Sequence, residues 1–290
     1  MGDEAKRLLG VIKSVAIECL GNEADLLDAL QRKIDGGTPL VAYDGFECSG
    51  RMHIAQGLLR TFSVNRLVAA GCRFRFWVAD WFAMLNNKLG GDLTKIRATS
   101  ELIIETWTAC GMDMKHVEFV WASEEIQKRG TEYWPLVLRA STEMSLTRVK
   151  KATQIMGRAE GSDKMPVSQA LYAVMQCVDP FFLDVDICSL GLDQRKVLAL
   201  TLDVATALQR RKPFMLMHHM LLGLTGRKMS KSDPDAAIFM DDDEKEVNRK
   251  LEKAFCPSGK IDGNPVVEYV QHIVFPMIGH LSIERDAKHG

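Results

Sequence analysis

The sequence predicts an α/β fold, a Rossmann-like doubly wound parallel sheet with a helical N-terminal extension and a connective helical insertion. Short apolar runs such as Leu40–Asp44 and Val117–Trp121 alternate with amphipathic segments of helical length. Such alternation favours a parallel sheet with right-handed crossovers. A glycine-containing turn also joins the first run to the helix that follows it, which is typical of doubly wound folds.

The composition is that of an ordinary globular protein and excludes a strongly basic or fibrous one. The chain has 290 residues, of which 47% are hydrophobic and 26% charged, with a formal net charge of −1. This length allows one large α/β unit with a smaller appendage. Seven scattered cysteines form no C-x-x-C pair, and no signal peptide or membrane-length apolar run occurs. We therefore expect a soluble, cytoplasmic protein with no membrane partner, and RNA contacts only from local patches.

The N-terminal residues predict a helical extension without chemistry of its own. Apolar residues recur at helical spacing over about residues 3–34, and Gly21 divides them into two helices. After the first strand, a turn through Gly45 leads into a helix at about 52–70. Free amides at the start of that helix favour an anion, and His53 lies there.

The rest of the chain continues the alternation. The predicted elements are a strand at 73–80, a helix at 93–110, a strand at 117–121, a helical and then irregular segment at 132–166, a helix at 168–178, a strand at 181–188, a helix at 193–210, a strand at 214–218 and a helix that begins near Asp241. For Trp81 and Phe82, core packing and a pocket wall are equal interpretations. His218 and His219 lack carboxylate or cysteine company, which favours a strand end over a metal site.

Positive charge is concentrated in one region and one loop. The region contains Arg139, Arg148, Lys150, Lys151 and Arg158, for which phosphate contact and a solvated helix face are equally open. The loop runs from Gly226 to Pro234 and places Lys228 and Lys231 three residues apart, beside Ser230 and Ser232. Two ammonium groups and several hydroxyl or amide donors could stabilise charge on a leaving phosphate. An arbitrary pair of lysines at this spacing would more often be a solvated turn.

The predicted helix at 168–178 carries polar residues on an apolar face. Tyr172, Gln176 and Asp179 are spaced four and three residues apart, which places them on one side of the helix. Buried polar groups need partners. From the residues alone, a structural hydrogen-bond network and a ligand pocket are equally good explanations.

Four motifs, in the correct order over about residues 39–276, resemble those of class I aminoacyl-tRNA synthetases. The loop GRKMSKSDP resembles the second ATP signature of the class. The segments YDGFECSGRMHIAQG, LYAVMQCVD and LGLDQRK are similar to those of the archaeal and eukaryotic tyrosyl-tRNA synthetases. The chain departs from the family pattern at Ala55, Gln56 and Phe82, where glycine, histidine and histidine are usual, and at Ser189 and Leu190, near a double glycine.

The resemblance implies a set of site residues. The catalytic residues would be His53, Gln56, Lys228 and Lys231; the tyrosine-binding residues Tyr43, Tyr172, Gln176, Asp179 and Gln194; and the ATP- and adenylate-binding residues Gly45, Ala55, Gly191, Asp193, Met229 and Ser230. It implies no metal site on the protein, because Mg²⁺ would arrive with ATP. It implies L-tyrosine and tRNA(Tyr) as partners, and a homodimer or a pseudo-dimer with a second synthetase-like half.

The expected activity is conversion of tyrosine and ATP to tyrosyl-adenylate and pyrophosphate, followed by transfer of tyrosine to tRNA(Tyr). The expected organisation is an extension at 1–37, a catalytic domain at 38–240 with its connective insertion at about 132–166, and a helical segment at 241–290. The anticodon-binding domain of the family would lie outside this chain. A tryptophanyl enzyme, a non-catalytic synthetase-like half of a longer chain and, with less support, a small nucleotidyltransferase are the alternatives.

Overall fold

A six-stranded, mostly parallel sheet forms the centre of the computed structural model, which describes residues 2–153, 165–227, 229 and 233–284. The strands are β1 (Glu18–Leu20), β2 (Val41–Phe46), β3 (Arg73–Val78), β4 (Val117–Trp121), β5 (Ile187–Gly191) and β6 (Phe214–His218). Their order is β1-β6-β5-β2-β3-β4, and only β1 is antiparallel to its neighbour. The predicted doubly wound sheet is thus confirmed.

The chain divides into two units. The first unit comprises Met1–Ser49, Ser63–Thr108 and Met112–Met220, and the second comprises Gly50–Phe62, Ala109–Gly111 and Leu221–Gly290. The helices that begin in the first unit are α1 (Asp3–Lys13), α2 (Glu23–Ile34), α4 (Asp80–Leu85), α5 (Leu93–Ala109), α6 (Ala122–Lys128), α7 (Gly130–Glu143), α8 (Leu146–Ala152), α9 (Val167–Phe182) and α10 (Arg195–Ala205), with 3₁₀ turns at Lys88–Gly91 and Leu192–Gln194. No helix of the described chain is long and apolar enough to cross a membrane.

The second unit is built from short helices. A π-helical turn at Ala55–Leu59 leads into α3 (Arg60–Ala69), which continues into the first unit; the C-terminal elements are a 3₁₀ turn at Pro234–Ala236, α11 (Glu244–Glu252), α12 (Pro265–Tyr269), a π-helical turn at Val270–Val274 and α13 (Phe275–Ile278). Its apolar cluster contains Leu221, Leu224, Ile238, Tyr269 and Ile273.

Two predicted elements are wrong. The first predicted helix ends at Lys13, because residues 18–20 instead pair with β6 and cover the edge of the sheet. The strand predicted at 181–188 is helical at its start, since α9 continues through Phe182 and β5 begins only at Ile187. Periodicity does not separate a short apolar strand from a buried helical turn.

The strand order creates a switch point between β2 and β5. The chain builds outwards from β2 to β3 and β4, and then returns to add β5 and β6 on the other side. Tyr43 is the partner of Cys188 across the two strands. In such sheets, ligands bind beyond the carboxyl ends of the strands at the switch point, so the ends of β2 and β5 are the place to look for a site.

Candidate active site

Polar side chains converge near the switch point, within the first unit. Tyr43 of β2 is 2% exposed, and a Cβ built on Gly45 would lie 3.2 Å from its hydroxyl. Tyr172 and Asp179 of α9 are 9% and 1% exposed. Burial first, and then the Asp179 carboxylate, raise the pKa of Tyr43 well above its ordinary value, so this phenol stays protonated. The structure thus brings together residues of β2 and α9 that the sequence predicted for tyrosine.

Asp179 has one oxygen held and one oxygen unpaired. The Tyr133 hydroxyl donates to Asp179 Oδ1 at 2.9 Å. Among the described residues, the buried Oδ2 has no hydrogen-bond partner. Burial raises the pKa of Asp179 well above 3.8, although the hydrogen bond from Tyr133 and the nearby Trp77 indole act to lower it. Trp77 Nε1 itself makes no hydrogen bond in the described part of the chain, so it does not pair with Oδ2. A buried acceptor without a partner is costly in an empty site, and a ligand hydroxyl would satisfy it.

The amide of Gln176 shows the same pattern as Asp179. Gln176 Nε2 donates to Gln194 Oε1 at 3.0 Å, which links α9 to the 3₁₀ turn after β5. Gln176 Oε1 is buried, and in the part of the chain that the structure covers it accepts no hydrogen bond. The amide pair therefore presents an open acceptor, which is the group that an ammonium ion needs.

Tyr172 is fixed from two sides. Burial, and then the charge of and a hydrogen bond with the Glu47 carboxylate, raise the pKa of Tyr172 well above its ordinary value. The same carboxylate accepts from Asn86 Nδ2 at 2.9 Å and lies 3.4 Å from Lys88 Nζ. The Phe82 ring meets the Tyr172 ring edge-on at 5.0 Å. Phe82, 1% exposed, is therefore a core residue that packs directly behind a pocket side chain.

The turn after β5 carries two of the predicted adenylate residues. A Cβ on Gly191 would lie 2.6 Å from Asp193 Oδ1 and 3.0 Å from Met220 Sδ. The carboxylate of the exposed Asp193 thus lies over the Gly191 backbone. No room for a side chain remains at Gly191 unless these two neighbours move.

The segment that contains the predicted residues His53, Ala55 and Gln56 begins the helical part of the second unit. The carbonyl of His53 accepts from the backbone N–H of Gln56 at 2.9 Å and of Gly57 at 3.0 Å. Its ring Nδ1 also faces the Gln56 N–H at 3.4 Å. Ala55 and Met229 both pack against the apolar cluster of this unit. The His53 segment and the basic loop therefore each place a residue against the same apolar cluster.

An ionic network with a buried Asp242–Lys250 pair and an exposed Arg51 joins the segment before His53 to the chain around residues 239–250. Asp242 accepts from Arg51 Nη2 at 2.9 Å and from Lys250 Nζ at 2.5 Å. Both cations lie over the Phe239 ring, at 4.3 and 4.8 Å from its centroid. Phe239 and His53 form an isolated antiparallel bridge. The network thus anchors the chain around residue 239 to the start of the His53 segment.

Several predicted residues lie outside the described part of the chain. They are Lys228, Ser230, Lys231 and Ser232 of the basic loop, and Arg158 of the cationic region. Within that region, Arg148 forms an ion pair with Asp203, and Arg139 donates to the carbonyl of Ala207 at 3.1 Å. Across the described residues, no group of three or more His, Cys, Asp or Glu could hold a metal ion.

His218 is structural, as the strand-end interpretation predicted. Its Nδ1 faces the carbonyl of Val15 at 2.9 Å, and its Nε2 faces Ser189 Oγ at 2.8 Å. A carbonyl accepts only, so Nδ1 carries the proton and Nε2 accepts from Ser189. The hydroxyl at Ser189 is thereby committed to holding the end of β6.

Sequence reasoning missed two side chains that support the pocket and one that supports the segment around residue 239 of the second unit. Tyr133 and Glu47 hold Asp179 and Tyr172, and Lys250 holds Asp242. Tyr133 is 46 residues from Asp179 in the chain, so no local spacing signals their contact. Lys250 gave no signal because a lysine on a helix usually faces solvent.

Comparison with known proteins gives a consistent set of relatives. The family model described as "tRNA synthetases class I (W and Y)" matches residues 36–289. Tyrosine–tRNA ligase 1, cytoplasmic, of Arabidopsis thaliana is 47% identical over 293 residues, covering 100% of this chain and 74% of that protein. Tyrosine–tRNA ligase 2, cytoplasmic, of the same plant is 48% identical, covering 99% of this chain but only 38% of that protein.

Solved structures show the same similarity. Tyrosyl-tRNA synthetase of Leishmania major in complex with tyrosinol has a TM-score of 0.86 at 45% identity, covering 95% of this chain and 42% of that one. The Pyrococcus horikoshii enzyme complexed with L-tyrosine has a TM-score of 0.87 at 32% identity, covering 99% and 84%. A tryptophanyl-tRNA synthetase of Giardia lamblia has a TM-score of 0.71 at 17% identity, covering 92% and 78%, which shows a shared fold alone.

Proposed function

The chain belongs to the tyrosyl-tRNA synthetases of the class I family, and we propose that it activates L-tyrosine with ATP and transfers the tyrosyl group to tRNA(Tyr). The observation that carries this proposal is the buried Asp179 Oδ2, an acceptor without a partner among the described residues. Burial of a carboxylate is favourable only when its hydrogen bonds are made. A substrate phenol supplies the missing donor.

The remaining pocket residues suit the amino-acid end of tyrosine. Gln194 engages the amide nitrogen of Gln176, which leaves Gln176 Oε1 as the acceptor for the substrate ammonium group. The Tyr172 hydroxyl, bonded to Glu47, offers its oxygen as a further acceptor. Tyr43, kept protonated by burial and close enough to Asp179 for that charge to raise its pKa, would contact the phenol oxygen. The ammonium and phenol groups of the substrate thus each have a complementary group on the protein.

Phenylalanine is rejected by the same physics. It would leave Asp179 Oδ2 buried and unpaired, which costs several kcal/mol relative to tyrosine. For tyrosyl-tRNA synthetases as a class the discrimination is on the order of 10⁵, an established value rather than one calculated from this pocket. An indole places its N–H elsewhere than a phenol does, and thus tryptophan lacks the matching donor.

The proposed chemical step needs no covalent enzyme intermediate. A carboxylate oxygen of tyrosine attacks the α-phosphorus of ATP, the bond between that phosphorus and the bridging oxygen breaks, and pyrophosphate leaves. Lys228 and Lys231 would stabilise the negative charge that develops on pyrophosphate, with His53 and Gln56 at the triphosphate. Mg²⁺ would enter as the counter-ion of ATP. Gly45, Ala55, Gly191, Asp193, Met229 and Ser230 complete the proposed nucleotide contacts.

We also propose the assembly and location that the relatives suggest. The outward face of α7 exposes Trp134 by 39% and Leu138 by 64%, an apolar pair that a second synthetase-like subunit or half would cover. The two plant relatives carry "cytoplasmic" in their names, and all seven cysteines here are free thiols. The organisation into an extension at 1–37, a catalytic domain at 38–240 and a helical segment at 241–290 stays part of the proposal.

Isolation of the intermediate tests this function. Labelled tyrosine, incubated with the protein, ATP and Mg²⁺, should co-elute with the protein on gel filtration as tyrosyl-adenylate, at about one per site. Labelled tryptophan should not co-elute. Added tRNA(Tyr) should then take up the label. Tyrosine that is bound only as the free amino acid would support a non-catalytic binding module instead.

A further inference from the structure

Tyr133 lies in the segment predicted as a connective insertion, yet its side chain reaches the amino-acid pocket. It is 0% exposed on α7, and its hydroxyl donates to Asp179 Oδ1 at 2.9 Å. From this geometry we infer that Tyr133 is a positioning residue for tyrosine specificity, which holds the Asp179 carboxylate so that Oδ2 alone is offered to the substrate phenol. The inference rests on the proposed function and adds to it a residue of another element.

The Tyr133 ring is itself held by its neighbours. Its ring meets the Phe182 ring edge-on at 4.8 Å, and the Trp134 ring edge-on at 5.6 Å. The Arg129 guanidinium lies over the Phe182 ring, 4.2 Å from its centroid, and also donates to the carbonyl of Phe182 at 3.1 Å. The Tyr133 side chain, packed edge-on against these two rings, has little freedom to rotate away from Asp179. The Tyr133 hydroxyl is therefore held in one position, and its hydrogen bond fixes the orientation of the Asp179 carboxylate.

A carboxylate without such a fixed donor can rotate about its terminal torsion, because that torsion is broad. In this pocket rotation would present either oxygen, at varying angles, to the substrate. A donor on Oδ1 removes that freedom and leaves one acceptor in one direction. Pre-organisation of this kind strengthens a hydrogen bond that only the correct substrate makes.

The pKa shifts of Tyr133 and Asp179 also favour a hydrogen bond from the phenol to the carboxylate. Burial, then the Asp179 charge and the shared hydrogen bond, raise the pKa of Tyr133 well above its ordinary value, so it remains a donor. The bond in turn opposes the rise that burial causes in the pKa of Asp179. The other titratable groups that respond to the Asp179 charge are Tyr43 of β2, Cys188 of β5, and Tyr172 and Cys177 of α9.

The test is Tyr133→Phe, which removes one oxygen from a ring that otherwise stays packed. In pyrophosphate exchange, kcat/KM for tyrosine should fall about tenfold, while kcat/KM for phenylalanine and KM for ATP should stay within about twofold. The acid limb of the pH profile for tyrosine should move to higher pH, since Asp179 loses a bond that lowers its pKa. Tyr269→Phe is the matched control, because the buried Tyr269 hydroxyl makes no hydrogen bond within the described chain.

A double-mutant cycle separates positioning from a general structural role. If Tyr133 acts through Asp179, adding Tyr133→Phe to the Asp179→Asn variant should lower kcat/KM for tyrosine by less than a further factor of two. Equal losses for tyrosine and phenylalanine, or additive losses in the cycle, would overturn the inference. Calorimetric titration of tyrosine, and separately of phenylalanine, into the same variants gives the selectivity independently of catalysis. A wild-type chain that binds tyrosine but catalyses no exchange would count against the proposed function, whereas unchanged selectivity in Tyr133→Phe would count against this inference alone.

Discussion

Asp179→Asn is expected to lower kcat/KM for tyrosine on the order of 10²–10³-fold in pyrophosphate exchange, and to leave kcat/KM for phenylalanine nearly unchanged. Tyr133 donates to Oδ1, so the amide oxygen of the variant must take that position and its NH₂ group must face the substrate. The phenol then loses its acceptor. A charge-assisted hydrogen bond and an unsatisfied buried donor together are worth about 3–4 kcal/mol, which corresponds to that factor.

The same variant should be at least as stable as the wild type at neutral pH. Burial raises the pKa of Asp179 above 3.8, so the folded protein holds this proton to a higher pH than the unfolded chain does. The stability that this proton contributes is present below about pH 4 and is lost as pH rises through the folded pKa. The amide has no such titration. Urea unfolding at several pH values should therefore show a flatter pH dependence for Asp179→Asn.

Asp184→Asn is the matched control for this substitution. Asp184 is exposed just beyond α9, and its φ of 48° lies in a region that asparagine adopts readily. Its exchange kinetics should equal those of the wild type. Unchanged kcat and KM for tyrosine in Asp179→Asn would contradict the proposed contact between Asp179 and the substrate phenol.

Lys231→Ala is expected to slow formation of tyrosyl-adenylate in a single turnover by about 10²–10³-fold, with the Kd for tyrosine unchanged. Loss of one preorganised donor at a site of developing charge typically has an effect of this size. Tyrosine binding should not change because Lys231 is not among the proposed amino-acid contacts, which are Tyr43, Tyr172, Gln176, Asp179 and Gln194. Rapid-quench measurement of adenylate, together with calorimetry for tyrosine, separates the two quantities.

Lys245→Ala provides the control for the loss of a lysine charge. Lys245 is exposed on α11, in the same unit of the chain, and its removal should alter neither quantity. Weakened tyrosine binding in Lys231→Ala would argue against a role confined to the transition state. An unchanged rate of tyrosyl-adenylate formation would contradict the proposed contact of Lys231 with the leaving pyrophosphate.

The strands and the face of α9 were predictable because their signals are local. Residues 117–121 and 214–218 form strands with the predicted bounds, and Tyr172, Gln176 and Asp179 do share one side of a helix. Their identification with tyrosine binding needed the family resemblance as well. From spacing alone, a structural network remained an equal interpretation.

Features that depend on contacts between distant segments were not predictable. Residues 18–20 left their helical pattern because the open edge of β6 offered them backbone partners. Tyr133 acquires its role only when α7 packs against α9 and sets its hydroxyl at the Asp179 carboxylate. The network likewise pairs Arg51 with Asp242, which is 191 positions away, and no local spacing in the sequence signals that contact.

Exchange of labelled pyrophosphate into ATP, with tyrosine, tryptophan and phenylalanine compared at equal concentration, tests most directly whether this chain activates tyrosine. The buried acceptor of Asp179 predicts rapid exchange that requires tyrosine, with phenylalanine and tryptophan giving only background rates. Exchange driven by tryptophan and not by tyrosine would contradict the assignment of the pocket. The absence of exchange with all three, in a folded protein that still binds tyrosine, would contradict the proposed chemistry.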